Sequence, residues 1–416
     1  MMMNNNIIWT IPASAEARDA AIDDFFADSQ KPSSRLLSSF RGGRKEALSK
    51  LADAKGETYH QTRNFLDGDV THLSPYLRHG CITIKEAVTY INARFGSQSE
   101  KLLNEFAWRE YWRTVWYAHG MDILQDMQDP KVELLFNQLP ADVLAANTGL
   151  PCMDSFIQSL NDEGYLHNHA RMWLAAYIVH WRKTDWQTAA FWMHDLLLDG
   201  DYASNHLSWQ WIASTFSNKP YFFNQENLAK YTNNQYCESC QVNCPFNDSY
   251  ANLEKQLFVA TEQTARQHNI TSPMIHDKKT GHQTIVLIHD EMLNGAHPLL
   301  QLPYEKVFIF DRDYYQDWSI KRLQFIADCL IEMPSVNVWI GHTSAILAAL
   351  NTQHIYTQNT PNLAIKQCIA GYPTTWEPEE KVCQAYLTPA DIRSFSRFWK
   401  IAAQDFMTSS KKEKAL

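Results

Sequence analysis

Two short stretches hold most of the reactive side chains in this sequence. Asp199-Gly200-Asp201 runs through Asn205 to Trp209-Gln210-Trp211, which places two carboxylates, an amide and two indoles close together. His167-Asn168-His169, followed by Arg171 and Met172, adds a guanidinium, imidazoles and a thioether. A flat redox-active heterocycle needs such surroundings: aromatic or apolar walls, an amide or carboxylate at its polar edge, and a cation to balance added charge. The same groups also make ordinary structural pairs of carboxylate and arginine, so taken alone they single out no cofactor. A third cluster, Cys237, Cys240 and Cys244 with Pro245 behind it, is spaced to give three thiolates to one soft metal.

The elements that position these groups follow from the apolar spacing. From about residue 34 to 231 the pattern is helical, as in IKEAVTYINARF and EFAWREYWRTVWYA, with breaks at Pro75, Pro130, Pro140, Thr148-Gly149-Leu150-Pro151 and Pro220. Beyond about residue 283, short apolar runs (284–288, 307–310, 336–340) alternate with helical stretches, which implies a small parallel-sheet α/β domain. The expected division is an N-terminal segment 1–34, a helical domain 35–251 ending at the Cys cluster, a linker 252–282, and an α/β domain 283–416. His289, Asp290, Glu291 and Asp311 then fall at strand C-terminal ends, the usual ligand edge of an open sheet, where a structural role is an equal reading.

With 416 residues and a net charge of −9, the chain is globular in size and too acidic to coat nucleic acid non-specifically. A local basic patch is a candidate at Arg35, Arg41, Arg44, Lys45 and Lys50. No apolar run is long enough to cross a membrane and no signal-peptide pattern is present, so a cytoplasmic monomer is the expectation. Of 14 Trp, nine lie between Trp108 and Trp211, which suits a bulky core, a flat ligand or an electron-transfer chain. Cys81, Cys329, Cys368 and Cys383 lack metal spacing and are expected as small buried apolar residues.

Six blocks, taken in order, resemble the flavin domain of the photolyase/cryptochrome family. They are Tyr59-His-Gln-Thr-Arg63-Asn-Phe, Thr71-His-Leu73-Ser74-Pro-Tyr-Leu-Arg78, Asn104-Glu105-Phe-Ala-Trp108-Arg109-Glu110, Thr148-Gly-Leu-Pro-Cys-Met-Asp154, His167-Asn168 with Arg171-Met172, and Asp199 to Trp211. Together they span about Gly43 to Tyr221, roughly half of the chain. The fold the resemblance implies is a mainly α, photolyase-type FAD-binding domain, here followed by the small C-terminal α/β domain. In the family the α/β domain comes first, and none precedes the flavin motifs here. The implied cofactor-binding residues are Tyr59, Thr71, Leu73 and Ser74 along the phosphate and ribityl part, and Trp108, Arg109, His167, Arg171, Asp199, Asp201 and Asn205 around the ring. Asp201 is expected over the pyrimidine side of that ring and Asn205 near its reactive N5.

Trp209 and Trp186 resemble the inner two members of the family's electron-transfer chain. The third falls near Val143, with Trp181, Trp173 and Tyr165 as substitutes. Glu105, Trp108, Asn168, Met172 and Trp211 match the residues of enzymes that split cyclobutane pyrimidine dimers, so the resemblance implies a blue-light DNA repair lyase acting on a flipped-out dimer in ultraviolet-damaged DNA. The alternatives are a cryptochrome-like photoreceptor, a (6-4) or single-strand-specific photolyase, and a nucleic-acid-binding module that has lost its flavin. Cys152, 15 residues before His167, joins Cys237, Cys240 and Cys244 in a pattern similar to the iron-sulfur branch of the family, which implies a [4Fe-4S] cluster, with zinc as the alternative. No antenna chromophore is assigned.

Overall fold

The computed structural model describes residues 6–27, 38–258 and 281–408. Arg35, most of the expected linker (259–280) and the lysines beyond 408 lie outside the described residues. The chain forms a helical body and a six-stranded α/β body, in line with the expected fold class.

The strands are β1 (Ile7–Ile8), β2 (Gln283–Ile288), β3 (Glu305–Asp311), β4 (Val336–Gly341), β5 (Thr352–Gln358) and β6 (Thr374–Glu377), in the spatial order β1-β4-β3-β2-β5-β6. All neighbours are parallel except β1, which runs antiparallel to β4 with Ile7 opposite Ile340. β2 begins the parallel set and the order reverses beside it, so the ends of β2 and β5 form the topological switch point, where open α/β sheets take their ligands.

The two bodies are laced together, which corrects the expected domain boundaries. Residues 7–8 are an edge strand of the C-terminal sheet, and helix Ala15–Phe25 packs on helix Ile320–Ile331. The expected linker begins inside helix Tyr250–Leu257. At the other end, helix Phe395–Thr408 leaves the sheet and packs on helix Glu100–His119 of the helical body. The proposed basic patch is also largely neutralised: Arg41 pairs with Asp19 and Asp328 at 2.9 and 2.8 Å, Arg44 with Glu86 at 2.5 Å, and Lys50 with Glu46 at 3.5 Å.

The helix Glu100–His119 positions the site. Leu102, Leu103, Phe106, Tyr111, Val115 and Trp116 recur at helical spacing and are buried, while Glu105, Trp108, Arg109 and Trp112 share another face at the same spacing. Glu110, 4% exposed, points away from that face and accepts the backbone N–H groups of Val382 and Cys383, each at 2.8 Å. Burial pushes its carboxyl up to about 7, against the pull of those two donors and of Lys381, and Glu379 adds to the rise.

A carboxyl with a folded pKa above its ordinary value of 4.5 takes up protons on folding. Its contribution to stability is therefore full below that value and is lost as the pH rises through about 7. The loss is on the order of 3 kcal/mol. Denaturation of the wild type and of Glu110→Gln at about pH 5 and about pH 8 checks this. The wild type is expected to lose the more stability, and equal losses would contradict the assignment.

Where the bodies meet, helix Ser74–Arg78 places Arg78 against the end of β2. Its Nη2 donates to Asp290 Oδ2 at 2.9 Å and its Nε to the carbonyl of Gly200 at 2.7 Å. Arg113 Nη2 donates to Glu291 Oε2 at 2.5 Å, and Tyr314 and Tyr315 donate to Asp290. His289, Asp290 and Glu291 are buried polar residues of this junction, and Glu291 lines a space of only about 70 Å³ with Arg78, Arg109, Arg113 and Asp201.

Candidate active site

A cavity of about 410 Å³ opens in the helical body. Its wall gathers Ser74, Glu105, Trp108, Arg109, Asn168, Arg171, Met172, Asp199, Asn205, Trp209 and Trp211, eleven of the expected site residues, from four separate sequence blocks. Tyr165, expected as a substitute in the electron-transfer chain, lines it too, as do Arg63, Lys101, Trp112, Met193 and Ser208, of which no cofactor or catalytic role was expected. The volume is in the range of small-molecule and cofactor pockets.

Asp199 is the electrostatic centre. Its Oδ2 lies 3.0 Å from Arg171 Nη2, and Arg171 Nε donates to the carbonyl of Leu166 at 2.7 Å, which holds the guanidinium in place. Burial pushes the Asp199 carboxyl up, but Arg171, the Ser74 hydroxyl and Arg109 together hold it below the usual carboxylate range. Its Oδ1 is buried and has no hydrogen-bond partner. Arg109 shares the wall; burial lowers its pKa, opposed by Asp201 and Asp199. An ionised carboxylate with one free lone-pair edge beside two cations fits the polar edge and added charge of a reduced flavin ring.

The Asp199-Gly200-Asp201 turn is clamped from both bodies. Gly200 accepts from Arg78 and from Arg322 Nη2, the latter at 2.5 Å, and a Cβ at position 200 would collide with the His194 carbonyl and Arg322. Asp201 caps the following turn by accepting the Ser204 N–H at 2.7 Å. It faces Arg109 and Arg113 and lines the junction space, whereas Asp199 lines the larger cavity. One π-helical turn, Tyr202–His206, then widens the backbone and carries Asn205 to the wall. Asn205 Nδ2 donates to the Ala190 carbonyl at 2.8 Å, which leaves the amide oxygen as its acceptor toward the cavity.

Besides Asp201, five of the expected residues stand off the wall. Leu73 is core, 1% exposed, and Thr71 Oγ1 accepts from the Leu73 N–H at 3.4 Å. Tyr59 is half-buried near Glu105 and Arg63, its hydroxyl pKa raised by desolvation. His167 caps helix Asn168–Ala176 by accepting from His169 N at 3.1 Å; burial, with His169 and Arg171, lowers its pKa to about 4, and its Nε2 has no partner. Trp186 is fully buried and donates to Asp126 Oδ1 at 2.8 Å. Val143 is core, while Trp173 is buried on Asn227 and Trp181 donates to the Pro245 carbonyl.

Elsewhere in the same lining, Glu105 Oε1 is shared by Arg63 at 3.0 Å and Lys101 at 2.7 Å. Asn168 Nδ2 lies 3.8 Å from Met172 Sδ, and Trp211 packs on Tyr221 with centroids 5.4 Å apart. Trp108 stacks flat on Phe395 of the C-terminal helix.

A separate small pocket is lined by all four expected thiols, Cys152, Cys237, Cys240 and Cys244, with Leu150, Leu228 and Phe246 around them. Burial pushes the Cys152 thiol up to about 12 and raises those of Cys237 and Cys244. The donor set is purely soft, yet among the described residues no three such side chains stand in a metal-holding arrangement. Cys81 and Cys329 are buried with sulfurs 3.5 Å apart, and Cys383 is buried too.

Residues 102–243 match the family model for the FAD binding domain of DNA photolyase. The helical body is of the photolyase/cryptochrome family. This photolyase-type domain is 31% identical over 210 residues to a cryptochrome DASH of Idiomarina loihiensis, covering 46% of each chain. It is 33% identical over 162 residues to a deoxyribodipyrimidine photo-lyase of Streptomyces griseus, covering 38% of this chain and 35% of that one. The chain thus spans less than half the length of these relatives. A solved cryptochrome of Synechocystis is 24% identical over 47% of this chain and 44% of its own, with a TM-score of 0.42. Among the described residues, no helix is long and apolar enough to cross a membrane.

Proposed function

We propose that this chain is a blue-light-driven lyase that splits cyclobutane pyrimidine dimers in DNA, with FAD in the 410 Å³ cavity. The observation that carries the proposal is the convergence on one wall of the polar set Ser74, Arg109, Arg171, Asp199 and Asn205 with the substrate-side set Glu105, Trp108, Asn168, Met172 and Trp211. Reduced FAD, when bound, supplies an electron on absorbing blue light and takes it back once the dimer bonds have opened. Asp199 accepts from the polar edge of the ring, Arg109 and Arg171 offset its charge, and the Asn205 amide oxygen accepts a proton-bearing nitrogen. Trp108 and Trp211 offer aromatic faces to a flipped-out pyrimidine dimer, and Arg63 and Lys101 attract the flanking phosphates. Glu105 exchanges part of its hold on those cations for a hydrogen bond to the dimer. The four thiols that line one small pocket are the candidate donors for a soft metal centre, a [4Fe-4S] cluster in preference to zinc.

The test is an absorption spectrum of the purified protein followed by repair of an ultraviolet-irradiated oligonucleotide. Flavin bands with a broad shoulder beyond them are expected, then light-dependent recovery of pyrimidines that falls about tenfold or more in Glu105→Ala. Flavin without repair overturns the enzyme reading in favour of a photoreceptor. That second reading has one observation behind it: Glu105 is already satisfied by two cations.

A further inference from the structure

The substrate-side wall depends on a helix that neither the motifs nor the family match include. Phe395 opens the helix Phe395–Thr408, well beyond residue 243, and its ring lies on Trp108 with centroids 3.8 Å apart and planes 10° from parallel. Phe395 in turn stacks on Trp399 at 6.1 Å and 15°. The other rings against Trp108, Tyr111 and Trp112, meet it at 81° and 41°, so Phe395 is the flat partner of this indole among the described residues. Trp108 lines the cavity and Phe395 does not, which puts the phenyl ring behind the indole.

The segment that delivers Phe395 is fastened along its length to the helical body. Glu110 holds the Val382 and Cys383 N–H groups, Tyr111 Oη donates to the Ile392 carbonyl at 2.9 Å, and Asn92 Nδ2 donates to the Phe406 carbonyl at 2.6 Å. Phe398 and Phe406 are fully buried. A half-buried indole without a flat partner can turn about its side-chain torsions, whereas a stacked one cannot turn without losing the stack.

We propose that Phe395 is a positioning residue for this site: stacked behind Trp108, it sets the plane of the indole face against which a substrate base rests. This builds on the reading of Trp108 as the substrate-side wall. Ordering that face before the substrate arrives lowers the cost of binding, so the effect belongs in substrate affinity.

The test uses the full chain loaded with FAD and an ultraviolet-irradiated thymidine oligonucleotide. Phe395→Ala is expected to raise KM about threefold to tenfold, the size of a stacked aromatic pair, with kcat little changed. Phe395→Tyr, which keeps the ring, restores KM. In a Trp108→Ala background, Phe395→Ala adds no further rise. An unchanged KM, or an equal rise in both backgrounds, overturns the proposal. A substrate-free measurement separates this from the repair reading. The emission belonging to Trp108, obtained by difference against Trp108→Phe, is expected to shift to longer wavelength in Phe395→Ala. If it does not, positioning fails whether or not the protein repairs dimers; if it shifts in a protein that repairs nothing, positioning stands and the repair reading falls.

Discussion

Asp199→Ala is expected to leave the purified protein nearly free of flavin. The carboxylate takes Arg171 at 3.0 Å, accepts from Ser74, offsets Arg109 and keeps one oxygen without a partner, so one substitution removes an anchor, a counter-charge and an acceptor together. Arg109 is buried among Arg78 and Arg113 and loses one of its two compensating carboxylates. Unsatisfied charged groups cost about 1.5–3 kcal/mol each, which corresponds to flavin held roughly 10- to 100-fold more weakly. Asp199→Asn keeps the shape and loses the charge, and should fall between. Flavin per protein after desalting, with a titration of added FAD, reads both. Wild-type retention in the alanine variant would remove Asp199 from the site.

The second large effect concerns the junction and is independent of any cofactor. Asp290 is fully buried and receives Arg78, Tyr314 and Tyr315, while Arg78 is itself 3% exposed at the side chain. Asp290→Ala leaves the Arg78 cation buried beside Arg322 with only a 3.8 Å approach to Glu291. Breaking a buried pair on one side costs about 3–5 kcal/mol, whereas replacing both partners by apolar residues of similar size is close to neutral. Chemical denaturation should therefore show Asp290→Ala strongly destabilised and Asp290→Leu with Arg78→Met largely restored. A double variant as weak as the single one would show that the pair supplies net stability.

The residues that converge on the cavity were legible in the sequence because each local block fixes a side-chain type at a helical position, and family resemblance places the blocks. What failed were contacts between distant segments. Asp201 has the same local sequence signal as Asp199, and its 3.9 Å approach to Arg113 of another helix leaves no mark in that block. The cluster of Arg41, Arg44 and Lys50 reads as a patch until Asp19, Asp328 and Glu86 arrive from elsewhere. β1 is two residues long and β5, Thr352–Gln358, alternates polar with buried residues, so neither yields an apolar run. The Phe395 contact joins residues 108 and 395, far apart in the chain, and has no local signature.

The lacing of the two bodies bears on how the polypeptide matures. The described chain starts on the sheet, crosses to the helices, returns to complete the sheet and crosses back, so β1 waits for β4 and the indole wall waits for Phe395. On the ribosome the cofactor-binding half emerges before either late segment exists, and it must stay open, greasy and in need of protection until synthesis has passed both.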